Sequence, residues 1–191
     1  FAYVEAAEIR EGDSCPECVT PVVIDRAIEI GHIFQLGRKY ADSLGLTVLD
    51  QNGKSQVVTM GSYGIGVSRA VAAIAEQSYD EIGLSWPLEV APAKVHIVAT
   101  GKEDLPFDTA LDIGNKLEAA GISVMLDDRR DPSAGVKFKD AELIGVPVIM
   151  VVGKSLADGK VELRNRKTGE KSEVLLADAT SAVTALIASL S

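Results

Sequence analysis

The second half of the chain alternates between two apolar rhythms. Val95 to Ala99 is a short, almost unbroken apolar run, as a buried strand requires. Phe107 to Ala119 repeats its apolar residues at helical spacing and stops before Gly121, a residue suited to the left-handed turn after a helix. Ile122 to Leu126 reads as a second strand, Val136 to Ile144 as a second helix ended by Gly145, and Val148 to Val152 as a third strand. Lys160 to Arg166 and Lys171 to Leu176 form a hairpin across Lys167-Thr168-Gly169, and Ala179 to Leu190 closes as a helix. Strands alternating with helices predict an α/β domain built on a mostly parallel five-stranded sheet with right-handed crossovers.

The first half follows another pattern. Phe1 to Ile9 and Val22 to Phe34 read as strands, and Arg38 to Ser43 as a short helix. Leu46 to Leu49 and Ser55 to Met60 flank Asp50-Gln51-Asn52-Gly53, whose Asn-Gly pair is a hairpin signal. Val67 to Gln77 is expected to be a buried helix, with Val67, Ala70, Val71, Ile74 and Ala75 on one face. This is antiparallel β with helices, an α+β arrangement. Trp86 to Pro92 then carries two prolines and no helical period, so it reads as an extended linker. Domains are expected at 1–91 and 92–191.

A chain of 191 residues accommodates one large or two small domains. It begins at Phe1 inside a strand-like stretch, so a piece of a longer protein is expected. No apolar run reaches the ~18 residues a membrane span needs, and no basic-then-apolar leader is visible, so cytoplasmic residence is the expectation. The formal net charge of −9 argues against a general nucleic-acid binder. The imbalance sits mainly in residues 1–91, however, so a specific nucleic-acid contact in the second half stays open.

Four stretches carry candidate chemistry. Gly61-Ser62-Tyr63-Gly64-Ile65-Gly66-Val67-Ser68-Arg69 leads from a strand into a helix. Its glycines allow close approach of backbone to a ligand, and its arginine can grip phosphate or stack on a base. It is neither a dinucleotide fingerprint nor a Walker loop, because the third glycine and the Gly-Lys-Ser/Thr are missing. Glu29-Ile30-Gly31-His32-Ile33-Phe34 brings a carboxylate, an imidazole and an aromatic ring, with strand alternation setting Glu29 on the face opposite His32 and Phe34. Asp127 to Lys139 is a charged loop entering a helix at the carboxyl end of a strand, where ligands gather in open α/β sheets. Cys15-Pro16-Glu17-Cys18 supplies two of the four ligands of a zinc site with no second pair nearby; the other reading is an exposed turn with two thiols. A disulfide is not expected in a cytosolic protein. His96, inside an apolar strand, reads as structural.

Taken in order, these stretches resemble the C-terminal part of the bacterial prolyl-tRNA synthetases, a class II family. Gly31-His32-Ile33-Phe34-Gln35-Leu36-Gly37 with Lys39-Tyr40 resembles the stretch between the family's editing insertion and its last catalytic strands. Met60 to Arg69 resembles motif 3 in its prolyl form. Leu126-Asp127-Asp128-Arg129, with Pro132, Gly135, Lys137, Phe138 and Glu142 to Pro147, resembles the anticodon-binding domain. Residues 1–24 resemble the return from the editing insertion.

The resemblance implies roles. Arg69 and Glu29 would be catalytic; with Gly64 and Gly66 they would bind ATP, Glu29 lying beside Mg2+. His32, Phe34 and Ser62 would shape the proline pocket, Ser62 standing where the family often has cysteine. Asp128, Arg130, Lys137 and Glu142 would face the anticodon. The parent would be a cytoplasmic homodimer acting on proline and proline tRNA, with no membrane or DNA partner. Motifs 1 and 2 and the editing region are absent, so the chain alone is not expected to aminoacylate tRNA. The competing readings are a threonyl- or glycyl-type class II synthetase and a non-catalytic tRNA-binding module.

Overall fold

The computed structural model describes residues 8–190. The expected strand from Phe1 to Ile9 lies almost wholly outside them. Backbone contacts divide the chain into two compact units, residues 1–70 and 71–191.

The first unit contains β1 (Gly31–Gly37), α1 (Lys39–Leu44), β2 (Thr47–Leu49), β3 (Ser55–Val57) and β4 (Met60–Ile65). β2 and β3 pair antiparallel around the Asn-Gly turn, as the sequence leads one to expect. Asp50 stabilises that turn by accepting hydrogen bonds from the amides of Asn52 and Lys54. Two expectations need correction. The long strand from Val22 shrinks to β1: Val22 pairs with Gly12 and Asp13, and residues 23–30 join no strand among the described residues. The glycines also do not follow a strand: Gly61 and Gly64 lie inside β4, which pairs antiparallel with β1.

Helix α2 (Val67–Gln77) forms where its period places it, and the division between units falls inside it. It is not the buried helix expected. Val67 and Val71 are exposed, and only Ala73 is buried.

The second unit adds the short hairpin β5 (Tyr79–Asp80) and β6 (Gly83–Leu84) to a layered α/β domain. That domain runs β7 (Val95–Ala99), α3 (Asp104–Ala119), β8 (Val124–Asp127), α4 (Ala134–Ile144), β9 (Val148–Val152), β10 (Lys160–Asn165), β11 (Lys171–Leu175) and α5 (Ala179–Leu190). The sheet has the expected five strands, in the order β11-β10-β9-β7-β8. It is mixed rather than mostly parallel. β7 runs parallel to β8 and β9, whereas β10 is antiparallel to both neighbours, because tight connections can only join antiparallel strands.

One sheet face packs Val95, Ile97 and Met150 against Ala110, Ile113 and Leu117 of α3 and Val183 of α5. The other packs Val98, Ile149 and Val151 against Ala141 and Phe138 of α4. Each such Val, Leu or Ile contributes roughly 1.5–3 kcal/mol by leaving water.

Residues 71–91, expected in the first domain, pack within the second unit. Asp80 accepts two hydrogen bonds from Arg166, at 2.7 and 2.8 Å. Trp86 Nε1 donates to the carbonyl of Ile144 at 3.0 Å. The approach of β6 to the end of α4 leaves no room for a side chain: a Cβ on Gly145 would lie 2.0 Å from the Leu84 oxygen.

Candidate functional site

In the first unit the candidate residues converge on Glu29. Arg69, on the first turn of α2, donates from Nη1 to the Glu29 carbonyl oxygen at 2.8 Å and stands 3.8 Å from its carboxylate. His32 Nδ1 lies 3.5 Å from the other carboxylate oxygen. Alternation placed Glu29 on the face opposite His32. Glu29 precedes β1 rather than belonging to it, so its side chain is free to turn toward the imidazole. The Gly66 amide donates to the Ile30 carbonyl at 2.9 Å, tying the start of α2 to the same segment.

The register of β1 on β4 sets His32 opposite Gly64 and Phe34 opposite Ser62. Directly opposed residues share a face. Two rings with centroids 4.1 Å apart therefore stand beside two of the smallest side chains. None of Gly61, Gly64 and Gly66 has positive φ, so their conformational freedom is not what the fold uses. Gly64 contributes empty space instead: a Cβ there would meet nothing within 4 Å. Arg69, Glu29 and His32 are all solvent-exposed. An exposed ion pair is worth only about 0–1 kcal/mol, so Arg69 can exchange Glu29 for an incoming anion at little cost.

In the second unit the four anticodon candidates do not form one cluster. Lys137 must be withdrawn. It is 2% exposed, and its ammonium donates to the Ala99 carbonyl at 2.7 Å and the Asp127 carbonyl at 3.3 Å. It caps the carboxyl ends of β7 and β8 and lies 3.4 Å from the Asp127 carboxylate. Arg130 pairs with Asp104 at 2.7 Å and covers the Phe107 ring, while Asp128 is exposed on the same loop. Asp127 is buried and accepts from Arg129 at 2.9 and 2.7 Å. Burial alone would raise its pKa, but the hydrogen bonds from Arg129 and the charge of Lys137 outweigh that and hold it down at about 2.

Glu142 sits near the other end of α4, in a group the sequence reading passed over. The Arg164 guanidinium lies 4.7 Å from the centre of the Phe138 ring, 4.0 Å from the Glu142 carboxylate, and hydrogen-bonds Glu162. An aromatic ring, a planar cation and carboxylates together are what an unstacked base needs for stacking and edge recognition. Phe138 and Glu142 are four apart on one helix, a spacing that could have revealed the pair. His96 is buried, with Nδ1 finding no hydrogen-bond partner among the described residues, and burial lowers its pKa. Among the described residues no three His, Cys, Asp or Glu side chains form a metal cage, so Cys15 and Cys18 remain a pair. No helix among them is long and apolar enough to cross a membrane.

Two family models match this chain. Residues 12–78 match the family model of the tRNA synthetase class II core domain (G, H, P, S and T), and residues 94–186 match that of the anticodon binding domain. The chain is 60% identical over 182 residues to a proline–tRNA ligase of Streptomyces coelicolor, covering 95% of this chain and 32% of that protein. It is 58% identical over 186 residues to the proline–tRNA ligase of Streptomyces griseus, covering 97% and 33%. To that of a Nocardioides species it is 60% identical over 172 residues, covering 90% and 29%. The chain thus spans about a third of the length of the curated relatives it matches. Residues 12–78 are thus similar to part of the class II synthetase core domain and residues 94–186 to the anticodon-binding domain, and the similarity runs throughout to proline–tRNA ligases.

Proposed function

We propose that this chain forms part of an enzyme that activates proline with ATP and transfers it to the 3′ end of proline tRNA. The supporting observation is the meeting of Arg69 and His32 on Glu29, beside the face that carries Phe34, Ser62 and Gly64. Proline's carboxylate attacks the α-phosphorus of ATP, and pyrophosphate leaves. The terminal ribose hydroxyl of the tRNA then attacks the adenylate carbonyl.

Arg69 leaves Glu29 and neutralises charge on the phosphates, aided by the free amides at the start of α2. His32 and Phe34 wall the proline ring, and Ser62 and Gly64 leave it room. Mg2+ fits the donor set: Glu29 is a single exposed carboxylate, and this ion is commonly held by one or two carboxylates plus substrate phosphates. When bound, it supplies further neutralisation of phosphate charge. Glu142, Arg164 and Phe138 are the favoured contacts to an anticodon base, with Asp128 and Arg130 on a separate loop. Residue 91 is kept as the boundary between the catalytic part and the anticodon-binding part, since the matched segments end at 78 and begin at 94.

Amino-acid-dependent pyrophosphate exchange tests the reading. A longer protein that unites this chain with the remaining two thirds of its relatives is expected to exchange with proline, and the 191 residues alone to be inactive. Exchange with threonine or glycine would assign another class II specificity. Anticodon-independent tRNA binding without any exchange would favour a binding module.

A further inference from the structure

Cys15 and Cys18 are the only two cysteines of the chain, and the synthetase reading gives them no task. They sit on a tightly closed hairpin. The Gly12 amide donates to the Val22 carbonyl at 2.9 Å, the Val22 amide to Asp13 at 2.8 Å, and the Cys15 amide to Thr20 at 2.9 Å. Inside it, the Val19 amide donates to the Cys15 carbonyl at 3.0 Å, which winds residues 15–19 into a single helical-type turn. Residues three apart in such a turn are neighbours, with Cβ atoms about 5–6 Å apart. A disulfide needs Cα atoms within roughly 4.4–6.8 Å, so local side-chain rotation and a small tightening of the turn are enough to join them.

We propose that Cys15 and Cys18 form a reversible dithiol–disulfide pair, in which Cys18 reacts first with low-molecular-weight disulfides and Cys15 resolves the mixed disulfide. The two sulfurs are not equivalent. Cys18 is exposed and Cys15 half-buried. The Thr20 hydroxyl lies 2.7 Å from the Cys18 sulfur, and once that sulfur is ionised only the hydroxyl can donate. The Thr20 hydroxyl and amide and the Cys15 side chain together hold the Cys18 thiol below its ordinary pKa. A structural zinc site takes four ligands, and no third His, Cys, Asp or Glu joins the pair among the described residues. This departs from the expectation that no disulfide forms: transient, redox-sensing bridges do occur in reducing compartments.

The exchange balances. The Cys18 thiolate attacks one sulfur of glutathione disulfide, the S–S bond breaks, and one glutathione leaves as thiolate. Cys15 gives up its proton and attacks the Cys18 sulfur, and the second glutathione leaves. Two cysteines are oxidised by two electrons and one glutathione disulfide is reduced to two thiols.

The test is intact mass and thiol counting on the purified chain incubated with glutathione disulfide. Wild type is expected to lose both thiols and two hydrogens with no adduct. Cys15→Ser is expected to accumulate one glutathione on Cys18, Cys18→Ser to react roughly tenfold more slowly, and Thr20→Val to slow adduct formation in the Cys15→Ser background. Wild type that collects adducts without closing the bridge would overturn the proposal. So would equal rates for the two single variants, or one zinc ion retained per chain through gel filtration.

Discussion

Arg69 and Glu29, forty residues apart in sequence, are joined by a 2.8 Å hydrogen bond from the guanidinium to the Glu29 carbonyl. Main chain and carboxylate together hold the arginine beside the start of α2 without burying it. Arg69→Ala is therefore expected to leave the folding of the chain unchanged. In the longer protein it is expected to lower the rate of proline-dependent pyrophosphate exchange by about 10²–10³, the usual loss when one preorganised donor to developing charge is removed.

Lys137 separates a structural role from a tRNA-binding one. Lys137→Met leaves the carboxylate of Asp127 and two strand-end carbonyls without their buried cation. A loss of about 3–5 kcal/mol is expected in urea unfolding, as for other broken buried pairs. Under conditions where the variant remains folded, its affinity for tRNA should equal that of wild type; a specific loss of affinity would restore Lys137 as a contact.

Acid should unfold the second unit in a defined window. Asp127 is held down at about 2. Asp80 is held well below the usual carboxylate range, chiefly by the hydrogen bonds from Arg166 and then by the Ile82 amide. A carboxylate whose pKa is lower in the folded state stabilises the fold above its unfolded value, near 3.9, and loses that contribution as the pH falls through the folded value. Thermal midpoints are expected to vary little between about pH 7 and pH 5 and to fall steeply between about pH 4 and pH 2. Asp127→Asn and Asp80→Asn should each lower the midpoint at neutral pH and flatten that fall.

Gly145 ends α4 at φ 77°, and an added Cβ would meet the Leu84 oxygen. Gly145→Ala is expected to destabilise the chain by more than ~1 kcal/mol, measured by urea unfolding, because both the backbone and the contact resist it.

The elements of the second half were legible because their periods are unmixed. Val95 to Ala99 and Val148 to Val152 are buried on both faces, and Gly121 and Gly145 end helices as expected. The orientation of β10 follows from the short connection before it, too short for a parallel return, and not from the apolar pattern. In the first half, residues 23–30 carry β-branched residues with no partner strand among the described residues, and α2 leaves Val67 and Val71 of its apolar face in water. Local sequence cannot report which partner is present. Among the candidate residues, proximity in sequence brings Glu29, His32 and Phe34 together, whereas Arg164 reaches Glu142 only through the placement of β10 beside α4's neighbour β9. The family resemblance suggested Lys137, and its depth follows only from the placement of the strand ends it caps.

The most direct measurement is titration of the 191-residue chain with a proline tRNA transcript and with the same transcript carrying a changed anticodon. The expected result is about tenfold or tighter binding of the matched transcript, since one well-placed base contact is worth ~1–3 kcal/mol, and loss of that preference in Glu142→Gln. Equal affinity for the two transcripts would contradict an anticodon-reading domain built on α4.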